Sequence, residues 1–183
     1  MPMIWDWEGA FSGLECDVLV ELMEGSGGVP APVYGQTGER AVDPAVRNVV
    51  SAFQERSAET AWLFDRLDGL FAEAGRFFGT PLAPLSEPVQ LLRYDSGGHF
   101  VSWHSDSGAD LQGRRRVSVS VELSNARDYQ GGLLEIVPGT VGRARTLPRG
   151  GARFFPSAAI HRVTPVTRGT RYALVGWTGD SPG

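Results

Sequence analysis

The chain has 183 residues, a formal charge of −4 at neutral pH and 17 basic side chains, all of them arginines. Without a lysine it cannot form a Schiff base with a carbonyl substrate or with pyridoxal phosphate, and it has no P-loop lysine for a nucleotide phosphate. The single cysteine, Cys16, excludes an internal disulfide and a thiolate metal cluster. Any imidazole-based site must use His99, His104 or His161, the only histidines.

Length and composition favour a single domain over residues 1–183, because a typical domain has about 150 residues. The 24 glycines and 12 prolines indicate many turns without the composition of a disordered chain. No uncharged apolar run is long enough for a membrane helix, and no basic and apolar leader opens the sequence. We therefore expect a cytoplasmic protein without a membrane partner, and the acidic balance argues against a nucleic-acid partner. The oligomeric state is left open.

The first part of the chain, about residues 1–84, is predicted to be helical. Apolar residues at helical spacing predict three helices, near residues 12–23, 44–53 and 63–78. The third pattern is the clearest and stops at Gly79. We expect these helices to support a sheet with their apolar faces.

Beyond residue 85 the hydrophobic period falls to two, which is typical of strands. Four apolar residues, Val117, Val119, Val121 and Leu123, alternate with polar ones, as in a strand with one buried face. Turns rich in glycine and proline separate six further strand candidates: 89–94, 99–105, 132–137, 142–147, 152–155 and 170–177. This pattern predicts a sandwich or barrel core over about residues 85–180, with N-terminal supporting helices.

A histidine and a carboxylate lie two residues apart at His104 and Asp106. Side chains at i and i+2 of an extended segment point the same way, so these two can converge on one ion. His161 lies 57 residues further on, a separation that antiparallel pairing can close. Two imidazoles and one carboxylate on one face of a metal leave the opposite face open, which is typical of non-haem Fe(II) oxygenases.

Arg171 follows ten residues after His161, within the apolar strand-like segment 170–177. An arginine buried in such a segment needs a carboxylate partner, because an unpaired buried charge is strongly destabilising. Its planar guanidinium suits a bidentate carboxylate. The partner is therefore either a carboxylate ligand or an Asp or Glu from a neighbouring strand.

These residues resemble a known family, the prolyl 4-hydroxylase-like branch of the 2-oxoglutarate and Fe(II)-dependent dioxygenases. Three stretches carry the resemblance, in the family's order and spacing: LLRYDSGGHFVSWHSD, VELSNARDYQGGLLEI and FFPSAAIHRVTPVTRGTRYALVGW. The resemblance covers about residues 85–180. It implies a mainly β fold with helices, the double-stranded β-helix or jelly roll.

The resemblance also implies roles for the residues singled out above. His104, Asp106 and His161 would ligate Fe(II), and Arg171 would hold the far carboxylate of the cosubstrate 2-oxoglutarate. The implied enzyme is a dioxygenase that uses O₂ to hydroxylate an unactivated C–H bond and releases succinate and CO₂, with ascorbate as reductant in vitro. Because the carboxylate position is filled by Asp106, hydroxylation is preferred to halogenation.

Further positions follow the family pattern less closely. Tyr94 stands where relatives place an aromatic near the cosubstrate, and Trp177 where a tryptophan walls the pocket. Glu122 stands where some relatives have a tyrosine that helps to bind the cosubstrate. A carboxylate here would repel an anionic cosubstrate, so Glu122 either turns away or pairs with an arginine. Ser118 and Ser120, on the same face, are candidate hydroxyl substitutes.

The substrate is open among an amino acid, a short peptide and a natural-product intermediate, with a prolyl hydroxylase acting on a whole protein as the alternative. Two other classes remain: a cupin-like metal enzyme that does not need Arg171, and a catalytically inactive metal-binding barrel.

Four other features receive no catalytic role from the sequence. Strand parity directs His99 away from the metal, Trp103 is assigned to packing, and Tyr129 to a turn at the rim. The segment 25–45 is either a lid or a plain surface loop.

Overall fold

The computed structural model of the chain describes residues 4–34, 40–108, 114–137 and 144–181. Its two helices are α1 (Gly13–Gly25) and α2 (Ala61–Phe78). The strands, in chain order, are β1 (Trp5–Trp7), β2 (Val29–Pro30), β3 (Val33–Tyr34), β4 (Arg40–Ala41), β5 (Arg47–Asn48), β6 (Val50–Gln54), β7 (Val89–Tyr94), β8 (His99–His104), β9 (Val117–Glu122), β10 (Tyr129–Gly131), β11 (Leu134–Val137), β12 (Ala152–Pro156), β13 (Ile160–Val163), β14 (Val166–Gly169) and β15 (Arg171–Thr178).

Two antiparallel sheets pack against each other in the jelly-roll arrangement. The larger sheet has seven strands in the order β1-β12-β9-β15-β7-β6-β2, and the smaller has four in the order β11-β13-β8-β5. Buried apolar residues from both sheets meet between them, among them Leu92 of β7 and Val163 of β13. The expected mainly β fold with supporting helices is confirmed.

The helices cover the outer face of the larger sheet. α2 buries apolar residues at steps of three and four, as the spacing predicts, and ends at Gly79 in the left-handed conformation with φ of 72°. The helices share one core with three valines of β9: Val117, Val119 and Val121. The intervening residues Ser118, Ser120 and Glu122 therefore face the space between the sheets. Neither described helix combines the length and the apolar character needed to cross a membrane.

The helix predicted at 44–53 is wrong. The structure has β5 and β6 in this region, and β6 pairs with β7 over five residue pairs. Valines at positions 46, 49 and 50 are β-branched and favour extended backbone, and the neighbouring strand supplies hydrogen bonds that a short helix could not outweigh. Residues before 84 thus contribute strands to both sheets as well as helices.

Other predicted boundaries also change. Of the strand candidate at 142–147, residues 142 and 143 lie outside the described residues, and residues 144–147 form no strand. The segment 25–45 contains β2, which pairs with β6, and β3, which pairs with β4, while residues 35–39 lie outside the described ranges. The lid interpretation of this segment stays a prediction.

The buried face of α1 provides a stability test with a matched control. Leu19 has no exposed surface, whereas Leu14, in the same helix, is 79% exposed. We expect Leu19→Ala to lower the free energy of unfolding by about 2–5 kcal/mol, because it removes buried methyl groups and leaves a cavity. Leu14→Ala should change it by less than about 0.5 kcal/mol. Chemical denaturation followed by circular dichroism measures both; equal effects would contradict the packing of α1 on the sheet.

Candidate metal centre and adjoining pocket

Two histidines and an aspartate meet between the sheets. His104, at the end of β8, is the direct antiparallel partner of His161 in β13, and their ring centroids are 4.2 Å apart. Asp106 follows β8, and its backbone N–H donates to the carbonyl of Ser157 at 2.9 Å. One ligand atom from each of the three side chains lies within 4.8 Å of the other two. Strand pairing thus closes the 57-residue gap between the histidines.

Both imidazole rings are oriented by backbone carbonyls. Nδ1 of His104 lies 2.9 Å from the carbonyl oxygen of Ser102, and Nδ1 of His161 lies 3.0 Å from that of Ala159. A carbonyl oxygen only accepts, so each Nδ1 carries a proton, and in the neutral ring Nε2 keeps its lone pair. Nε2 of His161 lies 3.6 Å from Oδ1 of Asp106. Nε2 is therefore the available ligand atom of each ring, in the tautomer that metal binding requires.

The Asp106 carboxylate is fixed by a serine pair. The hydroxyl of Ser118 donates to Oδ2 at 2.7 Å, and its oxygen lies 2.9 Å from that of Ser157. Burial opposes ionisation of Asp106, but the two histidines and Ser118 outweigh it, so the pKa of Asp106 is lowered. Burial, reinforced by His161, lowers the pKa of His104 to about 4. At neutral pH His104 is neutral and Asp106 ionised, which with His161 makes a donor set that fits a divalent metal.

A pocket adjoins the inward face of β9 at Ser120 and Glu122 and extends to Arg171. Arg171 is 4% exposed, and its Nε donates to Oε2 of Glu122 at 3.0 Å. The sequence allows Glu122 either to turn away from the pocket or to pair with an arginine, and in the structure it pairs with Arg171. Tyr94 is the β7 partner of Arg171, and the guanidinium carbon lies 5.3 Å from its ring centroid. Ser120 lines the same pocket.

Tyr129 is a pocket residue that the sequence analysis assigned to the rim. It is 3% exposed and lines the pocket together with Arg171 and Glu122. Its hydroxyl lies near Glu122 and Thr146, yet among the described residues no hydrogen bond of normal geometry satisfies it. Gly132 has φ of +61°, and a Cβ there would lie 2.9 Å from Cδ of Arg171. Gly132, three residues after Tyr129, was thus a signal that the backbone approaches a candidate functional side chain here.

Trp177 lies next to the triad. It is the β15 partner of Ser118, is 8% exposed, and its indole Nε1 is buried without a hydrogen-bond partner within the described ranges. The guanidinium carbon of Arg115 lies 4.0 Å from its ring centroid, and Arg115 is itself bound to Glu87. Trp177 therefore presents an apolar wall, and its indole N–H lies beside the Asp106 carboxylate and helps to lower the pKa of Asp106.

His99 and Trp103 lie apart from this group. His99 is not among the clustered ligand atoms, which are those of His104, Asp106 and His161. Trp103 is 40% exposed, and the guanidinium carbon of Arg162 lies 4.4 Å from its ring centroid. All the other predicted site residues face the interior between the sheets.

Comparison with known proteins finds similarity over the part of the chain that contains the triad and Arg171. Residues 89–179 match the model of the 2OG-Fe(II) oxygenase superfamily. The chain is 39% identical over 88 residues to a PKHD-type hydroxylase of Synechococcus sp. (strain CC9605), covering 48% of this chain and 40% of that one. It is 39% identical over 120 residues to a PKHD-type hydroxylase of Delftia acidovorans, covering 61% and 51%. The chain thus spans about half the length of the curated relatives it matches.

The fold is also similar to a solved structure. The crystal structure of a Pseudomonas putida prolyl-4-hydroxylase aligns with a TM-score of 0.71 at 16% sequence identity. The alignment covers 98% of this chain and 93% of that one. At this identity the similarity concerns the fold.

The serine that holds Asp106 provides a test of the site's geometry. We expect Ser118→Ala to weaken binding of Mn²⁺ by about 10–100-fold, because the carboxylate loses the partner that orients it. The control is Ser51→Ala, which removes another buried hydroxyl, one without a hydrogen-bond partner, from β6 of the same sheet. Calorimetric titration of the metal-free protein measures both affinities. Equal affinities in the two variants would show that Ser118 does not orient the ligand.

Proposed function

We propose that this chain, which belongs to the 2OG-Fe(II) oxygenase superfamily, is a prolyl 4-hydroxylase-like member of it. The proposed reaction is hydroxylation of an unactivated C–H bond of an amino acid, a short peptide or a natural-product intermediate. The observation that carries the proposal is the convergence of His104, Asp106 and His161 beside a pocket with the buried Arg171. When bound, Fe(II) and 2-oxoglutarate supply the activation of O₂, with release of succinate and CO₂.

In this proposal the three side chains hold the iron and keep part of its surface open. Nε2 of His104, Nε2 of His161 and Oδ1 of Asp106 are the ligand atoms. Ser118 occupies Oδ2 of Asp106, which leaves one carboxylate oxygen for the metal. Three protein ligands leave coordination positions for the cosubstrate and O₂.

Arg171 binds the distal carboxylate of 2-oxoglutarate in the same proposal. Its Nε is taken by Glu122, and the terminal nitrogens make the planar fork that suits a carboxylate. Tyr94 packs beside the guanidinium, Ser120 lines the pocket, and Trp177 forms a wall near the triad. Together they orient the cosubstrate and exclude water.

The proposal includes one oxygenase domain over residues 1–183, with helical support about 1–84 and a β-helix core about 85–180. Strands from the first part lie inside both sheets, which supports a single unit. A cytoplasmic location is also proposed, and the buried free thiol of Cys16 is compatible with a reducing compartment.

A second candidate is a prolyl hydroxylase that acts on a whole protein. It is supported by the name of the similar Pseudomonas putida structure, a prolyl-4-hydroxylase. The two candidates are separated by a succinate-release screen with Fe(II), ascorbate and 2-oxoglutarate. Free amino acids, proline-containing peptides and intact proteins are offered in parallel, and the product is checked for one added oxygen by mass spectrometry. Only the true substrate class should stimulate succinate release.

Histidine variants test the reaction class. We expect His161→Ala to abolish Fe(II) binding and succinate release, because it removes one of three ligands. His99→Ala, a control from β8 outside the cluster, should keep both. Anaerobic titration with Fe(II) measures metal binding, and the succinate assay measures turnover. Iron-dependent turnover in His161→Ala would remove that residue from the site, and absence of turnover in the unaltered protein with every substrate class would favour the inactive barrel.

Arginine variants test the cosubstrate. Arg171→Gln removes the buried charge and should raise the Kd of 2-oxoglutarate by about 100-fold or more, since loss of a buried charge partner costs about 2–5 kcal/mol. Arg168→Gln, at an exposed position on β14, should leave the Kd unchanged. Anaerobic calorimetry with Fe(II) measures both. Turnover unaffected by Arg171→Gln would favour the cupin-like metal enzyme.

A further inference from the structure

Arg171 and Glu122 form an ion pair inside the proposed cosubstrate pocket. Their side chains are 5% and 6% exposed, and Nε of Arg171 lies 3.0 Å from Oε2 of Glu122. The other carboxylate oxygen of Glu122 accepts from the backbone N–H of Ser124 at 3.3 Å. Within the described part of the chain, Glu122 is the only carboxylate paired with Arg171. The charge of Arg171 is therefore already neutralised by Glu122 before any anion enters.

A second group in the pocket can donate to a ligand. The Tyr129 hydroxyl is buried beside Glu122 and Thr146, and it makes no hydrogen bond of normal geometry with the described residues. A buried donor without an acceptor is destabilising, and native structures avoid it unless a ligand or water supplies the acceptor. A carboxylate bound at the terminal nitrogens of Arg171 would supply one.

Entry of a carboxylate into this pocket creates a charge imbalance. With Glu122 ionised, two carboxylates would share one guanidinium in a site with little water. Two further arginines, Arg145 and Arg153, line the pocket; both pair with Asp6, and Arg145 also pairs with Glu8. Arg149, nearby, pairs with Asp17. Three other titratable groups face Glu122: Tyr94, Tyr129 and Cys16. All three are neutral at neutral pH, because burial raises their pKa values. Each arginine that lines the described pocket thus already has a carboxylate partner, and none is left to balance a second one.

We propose that Glu122 takes up one proton from solvent when 2-oxoglutarate binds. The neutral carboxyl group then stops competing for Arg171, and its O–H becomes a donor for the distal carboxylate. Charge balances: the pocket gains one carboxylate and one proton. Glu122 is a positioning residue in this scheme. The inference rests on the proposed function, since it assumes that 2-oxoglutarate is the ligand of Arg171.

The electrostatics of the unliganded pocket favour this change. Burial raises the pKa of the Glu122 carboxyl above its usual range, and Arg171 only partly opposes that effect. The cost of protonating Glu122 is therefore smaller than for an exposed glutamate. A second carboxylate beside it raises the pKa further, as for any two carboxylates that share a site.

Anaerobic calorimetry of the Fe(II)-loaded protein tests the inference without turnover. 2-Oxoglutarate is titrated at several pH values between about 6 and 9, in buffers of different ionisation enthalpy. At the alkaline end the unaltered protein should take up about one proton per cosubstrate, and its Kd should rise about tenfold per pH unit. Glu122→Gln keeps an oxygen that accepts from Nε of Arg171. In this variant proton uptake should vanish, and the Kd should change less than about twofold across the same pH range.

The matched control is Glu135→Gln, which alters another Glu–Arg pair, that of the buried Glu135 with the partly exposed Arg162, 2.7 Å apart on the smaller sheet. It should retain both the proton uptake and the pH dependence. Absence of proton uptake in the unaltered protein, or its persistence in Glu122→Gln, would overturn the inference while leaving the dioxygenase proposal intact. Absence of 2-oxoglutarate binding in the unaltered protein and in Glu135→Gln at every pH would overturn the proposed function as well.

Discussion

The antiparallel pairing of β8 with β13 determines where the candidate ligand atoms lie. It sets His104 directly opposite His161, and the backbone of Asp106 is tied to Ser157, just before β13. Both ends of the His-x-Asp segment are therefore anchored to the same neighbouring strand and its preceding turn. A site built on paired strands keeps its geometry better than one built on loops, because backbone hydrogen bonds restrict each residue. The pocket and its charges are arranged around this fixed point.

The larger sheet serves two purposes through its two faces. In β9 the valines pack under the helices, while Ser118, Ser120 and Glu122 face the interior. Ser118 orients Asp106, and Glu122 binds Arg171 on the neighbouring strand. The apolar contacts of one face hold in place polar groups that cost free energy to bury on the other. A substitution on the helix side of β9 would therefore also alter the geometry of the candidate metal centre.

Much of this arrangement was visible in the sequence. The His-x-Asp segment, His161 and Arg171 follow from residue type and spacing, and α2 follows from its strong helical period. The helix predicted at 44–53 was wrong because its valines fit the helical period and the strand period alike. Only pairing with the neighbouring β7 decides between the two. Tyr129 was missed because a tyrosine before two glycines is typical of turns. The pairing of Glu122 with Arg171 depends on the register between β9 and β15, which local patterns do not specify.

The position of β15 has a consequence for how the molecule assembles. β15 is the last described strand along the chain, yet it lies between β9 and β7 in the middle of the larger sheet. Before it is inserted, the group β1-β12-β9 and the group β7-β6-β2 share no backbone hydrogen bonds within that sheet. Contacts between residues so distant in sequence form slowly, because loop closure must precede them. During synthesis on the ribosome, all three candidate metal ligands emerge before Arg171, so we expect the metal centre to be able to form while the cosubstrate pocket is still open.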